Sequence, residues 1–183
     1  MTLTPVRIMT FEEYLALPES EDLRHAEFVD GEVVVNRPHA LHLVMQGNLY
    51  VALREAAPEG FTALFEWDWV TRAGARVRGP DLLVLRRELV EGARLVEPPL
   101  LALEVLSPDS VIRDLVDKRD EYADAGLEHY LVARPYDTPA LWHFRRDGDV
   151  LREQAYVLGA TPLTLPEPFR PGVPLVPAEL VRP

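Results

Sequence analysis

Two apolar runs dominate the pattern of this chain. Leu82-Leu83-Val84-Leu85 is opened by Pro80-Asp81, and Leu100-Leu101-Ala102-Leu103-Glu104-Val105-Leu106 carries one carboxylate in its middle. Runs of this kind, rich in Leu and Val, predict strands buried on both faces. Earlier, Thr10 predicts the cap of a short helix through Leu17, stopped by Pro18, before a solvated acidic loop at Glu19-Ser20-Glu21-Asp22. Asp30-Gly31 predicts a tight turn between strands His25 to Val29 and Glu32 to Asn36. From His39 to Ala57, Leu43, Gly47, Tyr50, Leu53 and Ala57 recur at helical spacing, and Pro58-Glu59-Gly60 ends that helix.

The remainder alternates in the same manner. Phe61 to Thr71 is aromatic and β-branched and reads as one strand, followed by a strand at Asp81 to Leu85. Arg86 to Pro99 reads as a connection with at most one helical turn. Leu100 to Leu106 is the central strand, and Ser107-Pro108 predicts the cap and first turn of a helix running to Ala125, with Gly126 ending it. A strand at Glu128 to Ala133 and a hairpin, Ala140 to Arg145 with Val150 to Val157 around Asp147-Gly148, complete the regular part. The order predicts an α/β fold, a mixed central sheet flanked by helices with additional β-hairpins. One domain over residues 1–183 is expected, its core about 9–160, with an irregular proline-rich tail at 161–183.

Composition narrows the class. The chain has 48% hydrophobic and 27% charged residues, as an ordinary globular protein does. No cysteine is present, which removes disulfide and thiolate chemistry. No basic leader with a long apolar run opens the sequence, and no apolar run is long enough to span a membrane, so the cytoplasm is the default expectation. The net charge of −11 opposes nonspecific binding to nucleic acid. The charge is uneven, however. Val70 to Arg87 carries Arg72, Arg76, Arg78, Arg86 and Arg87 against Asp81 alone, either a basic rim or a solvated hairpin edge.

The candidate chemistry lies where polar residues interrupt the apolar runs. A buried ionised carboxylate such as Glu104 costs several kcal/mol unless a cation or donors compensate it. Two carboxylates on neighbouring strands suit a hard Mg²⁺ or Mn²⁺ ion, which lowers the pKa of a water and offsets phosphate charge. Lys118 is the only lysine among 19 Lys and Arg residues. In a chain that otherwise uses arginine, this one compact ammonium invites a specific role. Folding the helix back along its strand brings Lys118, roughly 15 Å from the helix start, level with Glu104 about 10 Å back from the strand end, once the side chain leans toward the N-terminus.

These residues carry a resemblance. Pro80-Asp81, then Glu104-Val105-Leu106-Ser107-Pro108, then Asp114, Lys118 and Tyr122, resemble the restriction-endonuclease-like superfamily, written PD-(D/E)XK. More narrowly the chain resembles the Uma-two restriction-endonuclease family. Met9 to Pro18, Glu27 before Asp30-Gly31-Glu32, His42 heading a helix, and Tyr122 with Gly126 and Tyr130 extend the likeness from about Met9 to Val132. Leu106 stands where the superfamily pattern has its lysine, and Lys118 on the following helix resembles a variant of that pattern. The resemblance implies a restriction-endonuclease-like fold and Mg²⁺-dependent hydrolysis of DNA phosphodiester bonds. Asp81 and Glu104 would bind metal with Glu27 as third carboxylate, and Lys118 would position or activate the water.

Each residue also has a plainer reading. Asp81 is an ordinary strand-start aspartate, and Glu104 a buried partner for an arginine. Glu27 is a surface residue of a hairpin, and Asp114 and Lys118 an i,i+4 pair worth a few tenths of a kcal/mol. Tyr122 belongs to the core or an interface, His42 to a helix cap or the rim of the site, and Trp67 and Trp69 to the core or a subunit interface. Glu66 and Asp68 have no spacing that favours the site. A homodimer is expected, to cover the Trp/Phe strand and the tail. Two rival functions remain: a non-catalytic or partner-dependent oligomeric protein on a nuclease fold, and a metal-dependent nucleotide phosphohydrolase, which an acidic surface would tolerate better.

Overall fold

In the computed structural model, which describes residues 8–17, 26–35, 38–108 and 110–183, the apolar runs become the interior strands of a mixed sheet. The elements in order are α1 (Phe11–Leu15), β1 (Ala26–Val29), β2 (Glu32–Val35), α2 (Ala40–Ala56), β3 (Phe61–Phe65), β4 (Trp69–Arg72), β5 (Arg76–Arg78) and β6 (Leu82–Arg86). A 3₁₀ turn at Arg87–Glu91 leads to β7 (Leu101–Val105). A π-helical turn at Arg113–Asp117 then continues into α3 (Lys118–Asp124), followed by β8 (His129–Arg134), β9 (Ala140–Asp147), β10 (Val150–Leu158) and α4 (Pro177–Leu180).

The large sheet has the order β10-β9-β8-β7-β6-β3, and a smaller one β2-β1-β5-β4. β7 and β8 are parallel, and their neighbours pair antiparallel. A parallel pair needs a crossover long enough to return the chain, and the helix bearing Lys118 is that crossover. All of β7 is buried, as are Leu82 to Leu85 of β6. Leu101, Leu103 and Val105 pack toward α2 through Leu49 and Leu53. Ala102 and Leu106 pack on the other side with Tyr122, Ala123 and Leu127. Glu104 alternates with Ala102 and Leu106, so its side chain falls on the face that meets α3.

Several expectations shift. Thr10 caps α1 in a reciprocal box with Glu13, but α1 ends at Leu15, and Pro18 lies outside the described residues with the loop to His25. Asp30 and Gly31 both take positive φ, 49° and 96°, which gives the tight hairpin turn; Asn36 also lies outside the described residues. The expected single strand from Phe61 to Thr71 is instead two strands in different sheets. Glu66 breaks it at φ 44°, a left-handed conformation that costs a non-glycine residue about 1 kcal/mol or more. The Glu66 amide donates to the Asp81 carbonyl at 3.3 Å, which ties that turn to the start of β6.

The crossover helix also begins later than Pro108. The Ser107 amide donates to Ser110 Oγ at 3.0 Å, and the Ser110 hydroxyl donates back to the Ser107 carbonyl at 3.3 Å. This local turn takes the place of a helix start, so helical geometry begins at 111 (Asp109 lies outside the described residues). Arg86 to Pro99 is the expected connection with a short turn.

The tail is irregular, as its prolines predict, yet it is part of the core. Leu163, Leu165, Phe169, Leu175 and Leu180 are buried beside α2 and the large sheet. Asn48 of α2 donates to the Leu180 and Arg182 carbonyls at 3.0 and 2.9 Å, and the Arg170 amide to the Ala56 carbonyl at 2.8 Å. Trp69 is fully buried against Tyr122, 5.0 Å between ring centroids, and Trp67 is half-buried. If the tail is integral, Phe169→Ala should lower stability by about 3–5 kcal/mol in urea unfolding, the usual cost of emptying a buried aromatic site. An unchanged midpoint would place the tail outside the cooperative unit.

Candidate active site

The site starts from strand register. Leu82 pairs with Leu103 and Leu83 with Ala102. One step further along the same ladder puts Asp81 opposite Glu104, a cross-strand carboxylate pair with Cβ atoms about 5 Å apart. Asp81 is braced rather than free. The Val105 amide donates to its Oδ2 at 2.6 Å, and His42 Nε2 lies 3.0 Å from its Oδ1. One turn along α2, Gln46 donates to the Asp81 carbonyl and to Glu66 Oε1, each at 3.0 Å. His42 therefore lies in the first turn of α2 facing the site, whereas His39 occupies the N-cap with no side-chain bond.

Lys118 is the meeting point. Its Nζ lies 2.8 Å from Glu104 Oε1, 2.9 Å from Glu27 Oε1 and 3.6 Å from Asp114 Oδ1. The reach argued from helix rise and strand length is thus closed. Glu27 comes from β1 of the small sheet, not from an exposed hairpin face, and is 3% exposed. Its Oε2 accepts from Arg78 Nη1 at 3.1 Å, so both of its oxygens carry a cation. Tyr122 donates to Glu104 Oε1 at 2.6 Å. Both donors to Glu104 land on Oε1, and Glu104 lines the cavity.

A π-turn prepares this placement. The Lys118 amide bonds to the Arg113 carbonyl, five residues back, instead of four. Turns of this kind are uncommon and concentrate at functional sites. Here it carries Asp114 and delivers Lys118 to the buried face. The Tyr130 hydroxyl holds the turn by donating to the Asp114 carbonyl at 2.8 Å.

Burial and charge set the protonation states. Burial works to raise the pKa of Glu27, but the charges of Lys118 and Arg78 overcome it and hold the carboxyl at about 2. Burial pushes Glu104 up to about 8, with Asp114, Asp81 and Glu27 adding to it and Lys118 opposing. For Lys118, burial is outweighed by Glu104, Glu27 and Asp114, so its pKa rises and the ammonium stays protonated. Tyr122 is driven well above its ordinary range by burial and by Glu104, and remains a donor.

The groups enclose a cavity of about 100 Å³, lined among others by Glu27, His42, Glu66, Asp68, Asp81, Glu104, Arg113, Asp114 and Lys118. Asp81, Glu104, Glu27 and Lys118 therefore share one cavity, and Glu66 and Asp68, for which spacing offered no signal, share it too. Tyr122 stands behind it on Glu104. Among the described residues, no group of three or more His, Asp or Glu side chains is arranged to hold a metal ion. The carboxylates are engaged instead by protein donors: Glu27 by Lys118 and Arg78, Glu104 by Lys118 and Tyr122, and Asp81 by the Val105 amide and His42.

Glu121 had no reading in the sequence, and Arg78 was read only as one arginine of a basic rim or solvated hairpin edge. Arg78 donates through Nε and Nη2 to Glu121 and through Nη1 to Glu27, a fully matched fork between β5 and α3. Thr71 and Arg76 add bonds to the same carboxylate. Arg78, 5% exposed, and Arg76 therefore leave the expected rim or edge, whereas Arg72, Arg86 and Arg87 are exposed as a solvated edge would have them. The available signal was helical: Glu121 lies three residues after Lys118 on the same face.

A profile of the Uma2 family, described as "Putative restriction endonuclease", matches residues 11–178. The chain belongs to the Uma2 family. The fold is also that of a solved structure, the "putative nuclease belonging to DUF820" from Anabaena variabilis. It is 18% identical, with a TM-score of 0.68, over 86% of this chain and 89% of that one. Identity at this level establishes the mixed α/β nuclease-type fold and nothing about residue roles. No curated protein matches the chain. No helix among the described residues is long and apolar enough to cross a membrane.

In this Uma2 chain the Glu104 shift has a stability consequence. A carboxyl whose pKa rises from 4.5 to about 8 on folding binds its proton more tightly when folded. Its contribution therefore destabilises progressively as pH climbs through that interval. In metal-free buffer, wild-type stability should fall over that range relative to Glu104→Gln, measured by urea unfolding. Parallel pH profiles for the two proteins would contradict the shift.

Proposed function

We propose that the protein is a divalent-metal-dependent endonuclease that hydrolyses DNA phosphodiester bonds. The observation that carries this reading is the cross-strand Asp81–Glu104 pair facing Lys118 across one small cavity. Family membership favours it. The donor set fits the metal class: carboxylate oxygens suit Mg²⁺ or Mn²⁺, and Mg²⁺ is commonly held by only one or two carboxylates with waters completing its shell. Asp81, braced by Val105 and His42, and Glu104 through Oε2 would hold it. A bound ion of this kind supplies Lewis acidity that lowers the pKa of a water and offsets charge on the phosphate.

The remaining roles belong to side chains. Lys118 stays cationic, so it does not serve as a general base in this arrangement. It holds Glu104 in place, and its ammonium lies on the cavity lining, where a water would be oriented. Glu27 fixes Lys118 from behind, a positioning role that its two bound cations favour over metal ligation. Tyr122 holds Glu104 by its hydroxyl, and Asp114 adds a weaker anchor to Lys118. His42 keeps the Asp81 carboxylate in its rotamer.

A second reading has a specific observation in its favour. The cavity is lined largely by acids in a chain of net charge −11, which suits a non-catalytic or partner-dependent protein in which the network is only structural. Metal titration separates the two. Under the nuclease reading, Mg²⁺ or Mn²⁺ raises the melting temperature saturably, and DNA is cut only with metal. Asp81→Asn should abolish the stabilisation and lower cleavage by at least about 10³-fold, the scale on which loss of a central electrostatic catalytic group is felt. Cleavage that persists undiminished in Asp81→Asn and Glu104→Gln would reject these assignments.

A further inference from the structure

The arginines around the site are almost all committed. Arg78 is locked between Glu121 and Glu27, Arg76 and Arg72 hold Asp30, and Arg94 holds Asp68. Arg113 is different. It is the arginine among the described residues lining the cavity, with its side chain 34% exposed. Its Nε reaches Asp114 Oδ1 only at 3.5 Å, at the outer limit of a hydrogen bond, and its two terminal nitrogens make no hydrogen bond to a described residue, the carboxylates of Asp114, Glu27 and Glu104 acting on them through charge. An arginine kept half-buried for structure would be expected to use its fork as Arg78 does.

We infer that Arg113 is the phosphate-binding residue of this cavity, receiving one phosphodiester of a DNA strand on its open guanidinium edge. This rests on the reading of the site as a phosphodiesterase centre and adds what that reading lacks, a means of admitting an anion. Six lining residues are carboxylic acids, Glu27, Glu66, Asp68, Asp81, Glu104 and Asp114, which repel a phosphate. Lys118 is engaged by Glu27 and Glu104, and His42 contacts Asp81. Arg113 supplies the cation still open to a ligand, in a planar geometry that matches two phosphate oxygens. Its place at the first residue of the π-turn, next to Asp114 and five before Lys118, sets a partly exposed charge on the lining of the cavity.

The test is ³¹P NMR of the dinucleotide TpT, which has one phosphodiester and no terminal phosphate, titrated with Mg²⁺ and wild type, Arg113→Met or Arg113→Lys. Wild type should broaden and shift the diester signal saturably. Arg113→Met should weaken this by about tenfold or more, the scale of one charged hydrogen bond lost. Arg113→Lys should fall between them, because it restores charge without the fork. The Mg²⁺-induced rise in melting temperature should be the same in all three, which a merely structural Arg113 would not predict. Equal affinity in wild type and Arg113→Met overturns the inference, as does failure of TpT to bind wild type or a preference for thymidine 5′-monophosphate over TpT. If Arg113-dependent binding occurs but no monoester signal ever appears from TpT or a longer DNA, the anion site stands and the hydrolytic reading falls.

Discussion

One buried ammonium holds the architecture of this protein together. Lys118 comes from the crossover helix, Glu104 from the large sheet and Glu27 from the small one, and Nζ lies within 2.9 Å of both carboxylates. Such a cluster is expensive to bury, and it is tolerated only because each charge is answered at short range. Arg78 repeats the arrangement one layer away, joining Glu27 of the small sheet to Glu121 of the helix. The two sheets and the helix thus meet through ions beside the apolar packing of Trp69 on Tyr122. Where they meet, the cavity opens.

The same constraint divides the acidic side chains into two kinds. Glu27 and Glu121 are neutralised by permanent cations and behave as structure. Glu104 and Asp81 are not fully neutralised. Glu104 shares its ammonium with two competitors, Glu27 and Asp114, and is pushed up by burial. Asp81 has the Val105 amide and the His42 ring as partners. It is on this pair, opposite each other on adjacent strands, that the proposed metal reading rests. Arg78 and Arg113 show the same division among the arginines, one saturated and one open.

Much of this was legible from the residue pattern. Glu104 interrupting a Leu/Val run, Asp81 at the mouth of the neighbouring strand and the single lysine pointed to the right stretch, because buried charge leaves a mark against an apolar background. The mixed sheet, both Asp-Gly turns and the helix ending at Gly126 followed from period and turn chemistry. The rest depended on tertiary contacts that leave no local pattern. The break at Glu66 is imposed by the hydrogen bonds of Gln46 and the Glu66 amide to the Asp81 carbonyl, across distant parts of the chain. The late helix start comes from a Ser107–Ser110 turn that competes with an N-cap, and the π-turn from packing beneath Tyr130. Arg78 looked like one surface arginine among several, since only the small sheet's position turns it inward. The tail's prolines concealed apolar residues that pack individually, without periodicity.

The architecture therefore depends on Lys118 as a buried structural cation, beside its proposed place in the site. Its most direct test is the urea unfolding free energy of Lys118→Met, which keeps the length of the side chain and removes the charge. Because Glu27 and Glu104 would be left facing each other without their ammonium, a loss of about 3–5 kcal/mol is predicted. A variant as stable as wild type, within about 0.5 kcal/mol, would contradict it and show that the two sheets are held together by something else.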